Sequence, residues 1–142
     1  MRVVVKGAPE YVLPMCVSVL DQNGKVMVID SFESDRILKQ EIIGSYATKG
    51  LKTIAYAYKD ISYDEWESLK ERHNNFEGHD DRHHLEQNLT FLAAFGMNDD
   101  LRPNVDEVIF KLEQGEVHVR MISGDNLETA KYAAKAAGIL TT

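Results

Sequence analysis

Disulfide chemistry is the first thing this sequence lacks. A single cysteine, Cys16, stands in 142 residues, so no internal disulfide forms, a usage that fits a reducing compartment. Its neighbours are apolar, and it is expected as a buried structural thiol rather than a reactive one. A basic surplus is also lacking. There are 16 Lys and Arg against 23 Asp and Glu, for a net charge of -7, which argues against the basic face of a nucleic-acid binder. A local basic pocket stays possible, because net charge does not describe a site. No run approaches the ~18 continuous apolar residues that span a bilayer. The start, Met1-Arg2-Val3-Val4-Val5-Lys6, is too short for a signal peptide, so the chain reads as soluble, with no membrane contact of its own. No Gly-x-Ser-x-Gly is present to support a serine hydrolase. What is there is ordinary globular composition, 44% hydrophobic and 27% charged. A compact domain of this length buries roughly 68% of its unfolded surface; one domain is the default and two small lobes are an alternative.

Taken in order, residues 2–5 are mostly β-branched and predict a buried strand. Lys6-Gly7-Ala8-Pro9-Glu10 follows, with Pro9 suited to the first turn of a helix and Glu10 to the positive end of its dipole. Val12, Cys16, Val19 and Leu20 share one face of that helix, which Pro14 should kink or shorten. Asp21-Gln22-Asn23-Gly24 is a turn, and 25–29 returns as a strand. Residues 33–47 predict a helix with Ile37, Leu38, Glu41, Ile42 and Tyr46 on one mainly apolar face, ended by Lys49-Gly50. In the strand 51–58, Lys52, Ile54, Tyr56 and Tyr58 share one face, and Leu51, Thr53, Ala55 and Ala57 the other. Ser62 and Glu65 form a capping box for a helix carrying Trp66, Leu69 and His73 on one side. The polar stretch 74–88 reads as a surface loop, and 89–97 as a strand buried on both faces. Val105, Val108, Ile109 and Leu112 mark a further helix, stopped near Gly115.

Residues 117–139 organise the rest. Val117, Val119 and Met121 alternate with His118, Arg120 and Ile122, which predicts a short strand. Ser123-Gly124-Asp125-Asn126 breaks the alternation, and Gly124 permits a turn that a side chain would obstruct. Leu127, Ala130, Ala134 and Ala137 then recur at helical spacing up to Gly138. Strand, small polar loop and helix together present free N–H groups to an anion, phosphate above all. The plainer alternative is that Asp125 caps the helix with Glu128 as its capping-box partner. The fold class expected is mixed α/β, with a change of rhythm near 98–103. After it, the helix–strand–helix piece has only one strand, which cannot close a core, so this lobe looks truncated.

Three stretches, in this order, carry a family likeness. They are Lys6-Gly7-Ala8-Pro9-Glu10; Gly50-Leu51-Lys52-Thr53-Ile54-Ala55-Tyr56-Ala57-Tyr58-Lys59-Asp60; and residues 99–105 leading into Val119-Arg120-Met121-Ile122-Ser123-Gly124-Asp125-Asn126. The chain resembles an internal piece of the cytosolic headpiece of P-type cation-transporting ATPases, closest to the plasma-membrane calcium-pump (type IIB) branch. The resemblance implies the C-terminal part of a nucleotide-binding domain over 1–98. Over 99–142 it implies the start of the second half of a Rossmann-like, haloacid-dehalogenase-type phosphorylation domain. It implies that Lys6 and Gly7 lie in the ATP pocket. Lys52 falls where relatives carry arginine; it keeps the charge but loses the bidentate fork. Asp99 and Arg102 match the hinge motif Asp-Pro-x-Arg, with Asp100 replacing the proline, which loosens the hinge. Ser123, Gly124 and Asp125 match the Thr-Gly-Asp loop that meets the phosphates and Mg2+. The phosphorylated aspartate of Asp-Lys-Thr-Gly-Thr is not in the chain, the Gly-Asp-Gly-x-Asn-Asp motif would lie beyond Thr142, and the adenine-stacking aromatic would precede Arg2.

The function implied is therefore the positioning of Mg-ATP, within a calcium-transporting ATPase, for transfer to an aspartate elsewhere. The partners implied are ATP and the pump's remaining domains, and the chain alone is not expected to turn over. An alternative is an inactive nucleotide-binding or interaction module that keeps the fold. A free-standing phosphatase lacks its nucleophilic aspartate strand. His79-Asp80-Asp81-Arg82-His83-His84 places His79 and His83 at a metal-ligand spacing. With no second cysteine and no helical pattern there, a solvated loop is expected and no metal site is assigned.

Overall fold

The computed structural model describes residues 1–141. Thr142, the last residue of the expected second domain, and the side chain of His79 lie outside the described residues. The chain divides into two compact units, crossing between them at 38/39, 53/54 and 95/96.

The first unit, Met1–Leu38 with Ile54–Phe95, is built on a mixed sheet. Its strands are β1 (Arg2–Gly7), β2 (Cys16–Leu20), β3 (Val26–Val28), β4 (Lys52–Asp60) and β5 (Leu89–Met97), in the order β1-β4-β5-β2-β3. β1 runs antiparallel to β4, from Arg2 opposite Asp60 to Gly7 opposite Ala55. β2 is antiparallel to β3 and parallel to β5. The alternation expected of β4 is present: Ala55 and Ala57 have no exposed surface, while Tyr56 and Tyr58 are partly exposed. At its far end Arg2 forks onto the Asp60 carboxylate at 2.8 and 2.7 Å and lies over the Tyr58 ring. Leu13, Leu89 and Pro9 are fully buried in this unit's core.

Several expectations for the first unit are corrected. β1 and β5, expected to be buried, each carry an exposed face, with Val4 at 62% and Phe95 at 56% exposure. The helix beginning at Pro9 is only one turn, α1 (Pro9–Val12), followed by a 3-10 turn, Leu13–Met15. Pro14 has no N–H to donate and its ring crowds the preceding turn, so the chain leaves the helix. Cys16, Val19 and Leu20 therefore sit on β2, where Cys16 and Ser18 are buried and Val17 is exposed. The helix expected over 33–47 is α2 (Ser31–Arg36), capped by Asp30 accepting from the Glu33 N–H at 2.8 Å, and widens into a π-helical stretch, Ile37–Ile43. The loop expected over 74–88 is partly ordered. It follows α3 (Tyr63–Arg72), whose Ser62 cap accepts from the Glu65 N–H, and contains α4 (His79–Arg82). Asn74, Asn75 and Phe76 all have φ between 44° and 58°, a left-handed run that costs L-residues about 1–2 kcal/mol each. The Asn23-Gly24 turn is as expected, with Gly24 at φ 77° and the Asp21 carboxylate accepting from the Asn23 and Lys25 N–H groups.

The second unit joins residues 39–53 to those from Gly96 onward. It holds α5 (Val105–Gln114), stopped at Gly115, and α6 (Leu127–Ala136), stopped at Gly138 with φ 77°. α6 packs on the 3-10 turn Ala47–Lys49, where the Thr129 hydroxyl, itself buried, donates to the Leu51 carbonyl at 3.1 Å. Two further expectations change here. Residues 117–122 form no strand: no described strand pairs with them, and an unpaired extended segment has nowhere to send its backbone hydrogen bonds except water. Ile122 is accordingly 99% exposed. The cap of α6 is Asn126, whose side chain accepts from the Glu128 N–H at 2.9 Å, and not Asp125. Among the described residues no helix is long and apolar enough to cross a membrane.

Gly50 has φ 78°, and a Cβ there would run into the ring of Tyr132. Both the backbone sign and the lack of space oppose a side chain. Gly50→Ala is expected to destabilise by about 2 kcal/mol or more, read as a lower denaturant midpoint at unchanged slope.

Candidate functional site

The residues singled out from sequence fall into two groups, one in each unit. In the second unit, β4 begins with Lys52 beside the loop that follows β5. The Lys52 ammonium donates to Asp99 Oδ2 at 2.6 Å and lies 3.9 Å from Asp125 Oδ2. All three side chains are partly open to water, at 42%, 62% and 36% exposure, so each pairing alone is weak and exchangeable. Their combined effect on protonation is directional. The hydrogen bond to Asp99, then the charges of Asp125 and Asp99, hold the Lys52 amine above its ordinary value. The hydrogen bond from Lys52, then its charge, hold the Asp99 carboxyl below its own. Lysine, carboxylate and carboxylate thus leave one net negative charge at this corner.

Ser123, Gly124 and Asp125 form the facing loop. The Ser123 hydroxyl accepts from the Asp125 N–H at 3.1 Å. A Cβ on Gly124 would meet nothing within 4 Å, and its φ is outside the left-handed region. The expectation that a side chain would obstruct this turn is therefore corrected: the space over Gly124 is open. Ser123 and Asp125 also border a concavity of about 350 Å³, floored by Met121, Leu127 and Ala134. Hard oxygen donors from a carboxylate and a hydroxyl are a donor set that suits Mg2+. Asp99, expected only as a hinge residue, is the main partner of Lys52. Arg102 is exposed on the segment leading into α5, and Asp100 accepts from the Asn98 amide at 3.0 Å.

In the first unit, Lys6 is exposed on β1, opposite Tyr56 of β4, and Tyr56 meets Phe95 of β5 edge to face at 5.7 Å and 84°. Lys6, Arg82 and Glu86 border a cleft of about 330 Å³ beside residues 3–5. Gly7 faces inward, where a Cβ would stand 3.3 Å from Val12. Tyr56 and Phe95 were missed as site candidates from sequence. The alternation of β4 put Tyr56 on the lysine face, but its apposition to Phe95 needed the strand order.

The other candidates take structural roles. Cys16 donates to the Val12 carbonyl at 3.2 Å, and burial pushes its thiol up to about 12, which fits an inert core residue. In the histidine loop, His83 lies 3.5 Å from Glu86, and His73 stacks on His84. Among the described residues, no group of three or more His, Cys, Asp or Glu could hold a metal ion.

Comparison with known proteins gives two findings. The family described as P-type ATPase, cytoplasmic domain N, matches residues 1–104. The calcium-transporting ATPase PAT1 of Dictyostelium discoideum is 35% identical over 99% of this chain. Plasma membrane calcium-transporting ATPase 1 of Mus musculus is 34% identical over 98% of it, and ATPase 4 of Homo sapiens 34% over 99%. The chain spans about a tenth of these relatives, 11%, 11% and 10% of their lengths.

Because Asp99 is depressed by Lys52, its ionised form stabilises the fold above the ordinary carboxylate range and loses that contribution as pH falls through the lowered value. Replacing the lysine, Lys52→Met, is expected to raise the Asp99 titration midpoint toward the ordinary value of about 3.9, read from its carboxyl carbon shift by NMR.

Proposed function

Because this chain belongs to the P-type ATPases, its residues 1–104 matching their cytoplasmic domain N, we propose that it is the nucleotide-handling part of a calcium-transporting pump. It binds Mg-ATP and holds it for phosphoryl transfer to an aspartate outside this chain. Residues 1–98 act as the nucleotide-binding portion. Residues 99–142 act as the start of the Rossmann-like, haloacid-dehalogenase-type phosphorylation portion, with Asp99 and Arg102 at the joint between these roles. The names of the relatives, calcium-transporting ATPases, support calcium as the cargo and the pump's remaining domains as partners.

The observation that carries the reading is the Lys52 ammonium held between Asp99 and Asp125. Such a cation is positioned without being neutralised by burial. It can exchange a carboxylate for a phosphate oxygen, because both are charge-assisted acceptors of similar geometry. The open face of Gly124 supports close approach of phosphate oxygens to the loop. Asp125 and the Ser123 hydroxyl would hold Mg2+, which supplies neutralisation of phosphate charge. Within the first unit, Lys6 supplies a cation, and Tyr56 with Phe95 an apolar face beside it that suits a planar ring. Catalysis of this kind rests on positioning and charge compensation rather than on covalent help from these residues.

Titration with Mg-ATP is expected to shift the backbone amide signals of Lys6, Gly7, Lys52, Ser123, Gly124 and Asp125. Lys6→Ala and Lys52→Ala each should weaken binding by roughly 10- to 100-fold, the range of a lost hydrogen bond to a charged group. Lys52→Arg should tighten it by restoring the fork. Shifts confined to other residues, or an affinity in both alanine variants unchanged from that of the unsubstituted chain, would overturn the reading.

A further inference from the structure

Within the first unit, α3, the turn Asn74–Phe76 and the turn just after α4 are joined by a run of rings. Trp66 lies 5.3 Å from Phe76, and His73 lies 6.2 Å from Phe76 with the rings 22° apart. His73 then stacks on His84 at 3.7 Å and 21°. The turn between them carries three consecutive left-handed residues, yet Phe76 at its end is buried. Strained backbone persists only where its surroundings hold it, and here the ring run is what surrounds it.

Two imidazole rings stack less favourably once both are charged, since imidazolium groups at that separation repel. We propose that the His73–His84 stack is a proton-operated clasp, closed when the rings are neutral and opened when both take up protons, which lets the strained turn relax and frees α4. The charged groups around it favour this direction. Arg72 on α3 adds a further positive charge, while Asp81 on α4 opposes it. Arg82 on α4 is committed to the Phe76 carbonyl, which its Nε reaches at 3.1 Å. Glu86 is next to His83 rather than to the stacked pair. Burial first, then the charges of His84 and Arg72, hold His73 below its ordinary value despite Asp81. The closed state therefore binds protons less readily than the open one, and its stability is lost as pH falls below about 6.5. Opening also moves Arg82, Leu85 and Glu86, which form one wall of the cleft bordered by Lys6.

Trp66 is the only tryptophan in the chain, so its emission reports the clasp directly. Lowering pH from 8 to 5 is expected to shift that emission with a midpoint below the ordinary histidine value. Intrinsic-rate-corrected amide exchange at 74–86 should rise over the same range, while exchange in α5 stays level. His84→Phe keeps a ring against His73 without a second charge, and should move the transition to lower pH or remove it. His83→Gln should leave it in place. A flat emission profile in the unsubstituted chain, exchange at 74–86 that does not change with pH, or an unshifted midpoint in His84→Phe would each overturn the proposal. The exchange measurement needs no variant to fold.

Discussion

The period-two alternation of β4 is the constraint on which the rest depends. One parity of that strand supplies Ala55 and Ala57, both fully buried, and the other supplies Lys52, Tyr56 and Tyr58. Small residues inward allow neighbouring elements to close on the strand, and β4 has β1 on one side and β5 on the other. The same alternation puts Tyr56 against Phe95 and across from Lys6. A slip of one residue would reverse every one of these placements, because side chains in a strand change face at each step.

Around Lys52 the chemistry is that of exposed, exchangeable pairs. Its two carboxylate partners come from separate segments, the stretch after β5 and the loop before α6. Neither is sealed from water, so the cluster is a poor source of stability and a good place to exchange partners. A lysine suits such exchange, since an ammonium carries its charge without a fixed plane. Other contacts nearby do the holding: the buried Thr129 on the Leu51 carbonyl, and Gly50 against the half-exposed Tyr132 ring.

Local signals were legible wherever the chemistry is local. Asp21-Gln22-Asn23-Gly24 turns as its residue types require, Ser62 caps α3, and Gly50, Gly115 and Gly138 end the segments before them. Patterns that depend on a distant partner were less reliable. Residues 117–122 have a strand's alternation but no ladder, and 16–20 have helical spacing but join a sheet. Pro14 decided the second case: it is expected to kink or shorten the helix, and it shortens it to a single turn before the chain enters the sheet. In the candidate site, the lysines were singled out by the family likeness and the Ser-Gly-Asp loop by its spacing as well, whereas the Asp99 pairing spans 47 positions and had no local signature.

The amino-acid sequence by itself determined the element-scale grammar and the family. Turn chemistry, caps, strand alternation and three ordered motifs are all encoded in neighbouring residues, where steric and hydrogen-bonding preferences act without long-range help. Only the tertiary structure decided which strand lies beside which, which carboxylates hold Lys52, and that the histidine loop closes into stacked rings. Those outcomes depend on contacts between residues far apart in the chain, and such contacts form only when the packing of whole elements outweighs the preferences of any one segment.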